Sequence, residues 1–110
     1  MPWQLSADVP LDLPARDTVD RGLADLAAGR DTQEALLVAI ASSRLRSAGI
    51  DVPARLPARP KDRLWERLER EVGHDAHGRY NALLSRILSF ADALEALRTA
   101  RGEVPDPRPR

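Results

Sequence analysis

The sequence predicts an all-α fold: a four-helix bundle built from two helical hairpins, with an extended N-terminal arm and a disordered C-terminal tail. Three observations carry this expectation. Only twelve of the 110 residues are Val, Ile or Thr, whereas Ala contributes 17 and Leu 16, a palette that favours helix over sheet. The nine prolines fall at 2–14, 53–60 and 105–109, leaving windows 15–52 and 61–104 free of them, each long enough for a hairpin. Within each window a glycine, a basic residue and an aspartate interrupt the pattern, at Gly29-Arg30-Asp31 and Gly73-His74-Asp75.

The first helix is expected over 16–28, with a narrow apolar stripe at Val19, Leu23, Leu26 and Ala27, and it stops at Gly29. The second runs over 32–48, with Asp31 as its cap and Glu34 completing a capping box. Its segment from Ala35 to Ala41 is apolar nearly all round and is therefore central. Gly49 ends it, and Ile50 stands where a Schellman motif places its apolar contact.

The third helix, 61–72, shows Leu64, Leu68 and Val72 among dense charges, so it and the first helix belong on the outside. Trp65 lies beside that stripe as a cover over the bundle edge, and Glu66 with Arg70 forms an ordinary exposed pair. The fourth helix, 76–101, is capped by Asp75 and stopped by Gly102. Ala76, Tyr80, Leu83, Ile87, Phe90, Leu94 and Leu97 follow core spacing, widened by Leu84, Leu88 and Ala91. That arc is broad enough to touch two neighbours. About 26 residues span ~39 Å, against ~34 Å for the diameter of a compact chain of this length. The helix should protrude or be matched by a partner.

The halves resemble each other. Asp8-Val9-Pro10-Leu11-Asp12-Leu13-Pro14-Ala15-Arg16 matches Asp51-Val52-Pro53-Ala54-Arg55-Leu56-Pro57-Ala58-Arg59 at seven of nine positions without a gap. The chain therefore reads as a degenerate tandem hairpin, 8–50 and 51–103, closing on itself because two units are too few for a solenoid. In domain terms, 1–14 is the arm, 15–102 one helical domain and 103–110 the tail. The arm carries Trp3, Leu5, Val9, Leu11 and Leu13 in a proline-broken stretch. It lies over its own bundle or reaches a neighbouring subunit with Trp3 as anchor.

Composition excludes several function classes. Seventeen basic residues balance seventeen acidic ones, so no global field is built to capture nucleic acid or anionic lipid. With no cysteine there is no disulfide, thiolate nucleophile or Cys-ligated metal. The uncharged run at 35–43 falls far short of the ~18 to 20 residues a membrane helix needs. Residues 1–14 have neither the charged nor the apolar region of a secretory leader. A cytoplasmic location is the expectation, and sixteen Arg against one Lys reads as GC-rich bacterial coding bias.

Four candidate sites remain. The outer side of the last helix carries Ala82, Ser85, Ser89, Ala93 and Ala96, a small-residue face that permits close approach of another helix and is the expected homodimer interface. Residues 44–67 hold Arg44, Arg46, Arg55, Arg59, Lys61, Arg63 and Arg67 against Asp51, Asp62 and Glu66, a local excess suited to a few phosphates. No aromatic residue interleaves those of the connector from Val52 to Pro60, and a solvated linker is the blander account. His74 and His77, with Asp75, share one end of the last helix, but a closed metal site needs about four ligands. No metal or cofactor is expected. Finally, Arg70 and His77, six residues apart, together with Tyr80, resemble the Arg-x(4 to 6)-His motif of the HEPN ribonucleases. That resemblance covers one motif only, and it departs where Glu71 follows the arginine and Gly73 breaks the helix. It implies a nuclease site at a dimer cleft. No Gly-rich phosphate loop, Gly-x-Ser-x-Gly elbow or Glu-x-x-His pair is present. The leading expectation is a non-enzymatic regulatory or adaptor protein acting through protein association as a homodimer, ahead of nucleic-acid binding and of nuclease activity.

Overall fold

A computed structural model describes residues 5, 9, 10, 12–100 and 102. All regular structure among the described residues is helical: α1 (Arg16–Ala27), α2 (Gln33–Ile40), α3 (Ser42–Ser47), α4 (Pro60–Val72), a 3-10 turn (Gly73–Asp75) and α5 (Ala76–Ala100). Trp3 and the tail 103–110 lie outside the described residues.

The helix stops expected at Gly29, Gly49, Gly73 and Gly102 all fall on glycines with positive φ. At Gly49 the requirement is double. Its φ of 92° suits only a residue without a Cβ, and a Cβ there would collide with the Arg98 guanidinium. The Schellman motif around it is complete, with Ile50 N–H donating to Leu45 O at 2.9 Å and Gly49 N–H to Arg46 O at 3.0 Å. The end of α1 repeats the motif, since Arg30 N–H donates to Asp25 O at 2.8 Å and Gly29 N–H to Leu26 O at 3.1 Å. There an ion pair between Arg30 Nε and Asp25 Oδ1, 3.1 Å, replaces the usual apolar contact.

Four local expectations are corrected. The expected second helix is interrupted at Ala41, whose φ of −90° and ψ of 8° leave the helical region, beside a Ser42-Ser43 pair of the kind that marks helix kinks. The cap of α2 is Thr32, not Asp31: Thr32 Oγ1 accepts from Ala35 N–H at 3.1 Å and donates to Asp25 Oδ2 at 2.6 Å. Asp31 instead turns outward to Arg63, 2.9 Å away. Pro60 opens α4 as its first residue rather than preceding it, because the missing N–H of proline costs nothing in the first turn. Asp75 sits inside the 3-10 turn and makes no side-chain hydrogen bond among the described residues; His74 is its nearest ionic neighbour, at 3.7 Å.

The core is built from α2 and the inner face of α5. Residues Ala35, Leu36, Leu37, Val38 and Ala39 are all buried, enclosed by α1, α3, α4 and α5. On α5 the buried positions are Ala76, Ile87, Phe90, Ala91 and Leu94, with Tyr80, Leu83 and Leu84 partly buried against them. Leu88, expected to widen the arc, is 37% exposed. At about 100° per residue it lies a third of a turn from the line through Ile87 and Leu94, beyond the reach of the neighbouring helices.

Of the described residues before α1, Leu5 and Val9 are buried in the core, and Leu5 N–H donates to Asp20 Oδ1 at 2.9 Å. The connector after α3 is likewise more than a linker, since Val52 and Pro53 are buried and Leu56 packs on the core. The molecule measures 44 × 30 × 29 Å. Its long axis accommodates the ~37 Å of a 25-residue helix, so α5 does not protrude as a compact sphere would require.

Candidate functional site

The outer side of α5 presents Ala82, Ser85, Ser89 and Ala96 exposed and Ala93 half-buried. Gly78 extends the same strip, and a Cβ added there would meet no atom within 4 Å. Leu88 flanks it. The inner edge is pinned by ion pairs: Arg44 of α3 reaches Asp92 and, at 3.4 Å, Glu95. The hydrogen bond to Asp92, then that carboxylate's charge, raises the Arg44 pKa above its ordinary value. Near the end of the helix Arg98, only 8% exposed, donates from Nη1 to Ala48 O and Gly49 O at 3.1 and 3.0 Å. A cation there satisfies carbonyls of the turn that ends α3 and complements the helix dipole. Sequence reasoning missed this contact, because an arginine one step outside a leucine stripe looks like any exposed one.

The seven cations of residues 44–67 are largely engaged within the chain. Arg44 pairs with Asp92 and Glu95, Arg59 with Asp62 at 3.0 Å, Arg63 with Asp31 at 2.9 Å, and Arg67 with Glu71 at 3.5 Å. Arg46 donates to Pro53 O at 3.2 Å and Arg67 to Asp31 O at 3.2 Å. Among the described residues Arg55 and Lys61 have no such partner. The set does not form one continuous basic strip. Arg55 and Arg63 instead converge with Arg30 on a cleft of about 230 Å³ between the α1–α2 turn and the connector. A second cleft, about 320 Å³, lies where Arg16, Asp17 and Thr18 at the start of α1 approach Arg86.

At the α4–α5 corner Trp65 meets His77 and Tyr80 edge-on, with ring centroids 6.1 and 5.7 Å apart. Trp65 is half-buried, as expected of a cover. His77 shares a 3.2 Å hydrogen bond with Asn81, and no hydrogen bond joins it to Arg70 among the described residues. Burial, then the charge of Asp62, holds the Tyr80 phenol above its ordinary pKa. Among the described residues no group of three His, Asp or Glu side chains could hold a metal ion, and no helix is long and apolar enough to cross a membrane.

Compared with known proteins, the chain matches no family model, no curated protein and no solved structure.

Proposed function

We propose that this chain is a non-enzymatic, cytoplasmic helical module that acts through protein association in a regulatory or adaptor role, and that its primary partner is a second copy of itself. The observation that carries the reading is a symmetry in the outer strip of α5. Gly78, Ala82 and Ser85 precede Ser89 by eleven, seven and four residues, and Ala93, Ala96 and Ala100 follow it by four, seven and eleven. A two-fold interface must be self-complementary. An antiparallel pair of α5 helices with its axis at Ser89 sets small residue against small residue along the whole strip, which permits the closest helix approach. Such a strip, ~37 Å long and ~10 Å wide, offers on the order of 400 Å² per copy. That is half the ~800 Å² of a standard interface, so the dimer is concentration-dependent.

Light scattering over tens to hundreds of micromolar tests the association: a mass rising toward twice the monomer supports it, and a constant monomer mass contradicts it. Nucleic-acid binding is the weaker reading, since carboxylates of the same chain neutralise Arg44, Arg59, Arg63 and Arg67.

The tandem-hairpin origin is part of the same proposal. Aligned Val9 and Val52 are both buried, and aligned Leu13 and Leu56 are both half-buried. A left-handed residue stands immediately before the helix that follows each segment, Ala15 at φ 63° and Arg59 at φ 50°, one position apart in the alignment.

A further inference from the structure

We infer that the cleft between the α1–α2 turn and the connector is a binding site for a small phosphate monoester. It is separate from the α5 strip and independent of the association reading. Three guanidiniums line it, Arg30, Arg55 and Arg63, against one carboxylate, Asp31, while Leu26 and Leu56 supply an apolar wall. Two of the three are held in place from behind. Asp25 takes the Nε of Arg30 at 3.1 Å, leaving both terminal nitrogens without a bond among the described residues. Asp31 meets one terminal nitrogen of Arg63 at 2.9 Å. Each arginine carries five N–H donors in a fixed fork, so one such contact orients the group and leaves most of its donors available. Asp25 is itself buried and bonded to Thr32, so the anchor behind Arg30 belongs to the same turn that fixes α1 against α2. Arg55 has no ionic partner among the described residues and is free to close over an anion.

Charge and size select the ligand. The three guanidiniums stand against two carboxylates, Asp31 in the lining and Asp25 behind Arg30, and keep an excess of one positive charge together with most of their N–H donors, which a monoester near pH 7, at about −1.5 to −2 with three acceptor oxygens, takes up. A phosphodiester, with one negative charge, offers only two unesterified oxygens to the same donors. A volume of about 230 Å³ lies below the ~300 to 1,000 Å³ of pockets that enclose a drug-sized ligand. It suits a phosphate on a short carbon skeleton, the carbons against Leu26 and Leu56, rather than a nucleotide.

Amide chemical shifts of the full chain, titrated with n-butyl phosphate, inorganic phosphate and an oligothymidylate, test the site. Saturable shifts at Gly29, Arg30 and Arg55 are expected with n-butyl phosphate, at lower concentration than with inorganic phosphate. Arg55→Gln, which removes no intramolecular partner, should weaken that binding about tenfold with an unchanged circular dichroism spectrum. Arg21→Gln, on the exposed side of α1, should leave it unchanged. No saturable response to n-butyl phosphate, equal weakening by Arg21→Gln, or saturation only with the oligothymidylate would overturn the assignment. An equal affinity for inorganic phosphate would overturn its ester component.

Discussion

Helices α2 and α5 are both rich in alanine and leucine, and their small residues meet opposite surroundings. In α2 they face other helices. Gly22 of α1 lies so close that an added Cβ would run into Val38 and stand 2.5 Å from Glu34 O, and every residue from Ala35 to Ala39 is buried. In α5 Ala82, Ser85, Ser89 and Ala96 of the outer strip are exposed, Ala93 is half-buried, and Gly78 has open space around it. Small side chains are therefore a solved packing problem in α2 and an unspent capacity for contact in α5. A glycine inside a helix costs ~1 kcal/mol relative to alanine. Gly22 returns that cost through close approach, and Gly78 has no return within the monomer.

Substitutions sharpen this contrast, beginning with the largest effect. Leu37→Ala in the wholly enclosed α2 should destabilise the fold by about 3 kcal/mol, read from the shift of the urea midpoint. Gly22→Ala should cost about 2 kcal/mol by overpacking against a backbone carbonyl that cannot move aside. Gly78→Ala should have the opposite sign, raising stability by roughly 1 kcal/mol. Equal signs at the two glycines would dissolve the contrast. The smallest effect concerns the α4–α5 corner. Tyr80 has a raised pKa in the folded chain, so its contribution is complete below the ordinary tyrosine pKa of about 10 and is lost as pH rises through the raised value. Tyr80 is the chain's one tyrosine, so its tyrosinate absorbance reports that titration directly, and Tyr80→Phe should abolish this part of the alkaline loss.

Much of the fold was legible because it depends on local chemistry. Glycines at helix ends, the apolar girth of residues 35–39 and the stripe through Ile87, Phe90 and Leu94 each speak through spacing alone. What escaped depends on partners distant in sequence. Thr32 displaces Asp31 as a cap because Asp25, seven residues earlier, accepts its hydroxyl, and Asp31 is drawn off by Arg63. Val52 looked like linker because nothing in a proline-rich run announces that the core closes over it. Leu88 looked like core because periodicity gives an angle, not the width of the neighbours that must cover it. The site was legible in the same uneven way. The strip from Ala82 to Ala96 could be read off one helix, whereas the convergence of Arg30, Arg55 and Arg63 needed the connector to pass beside the α1–α2 turn.

The claim that the outer strip of α5 pairs with itself about Ser89 is most directly tested by disulfide trapping, which the absence of native cysteine makes clean. Residues on a two-fold axis between close-packed helices come within the ~4.4 to 6.8 Å Cα separation that a disulfide requires. Those four residues away stand ~12 Å apart along the axis in an antiparallel pair. Under mild oxidation Ser89→Cys should give a covalent dimer in high yield while Ser85→Cys remains monomeric. Equal trapping at both positions would mean a parallel or non-specific encounter, and trapping at neither would contradict the account.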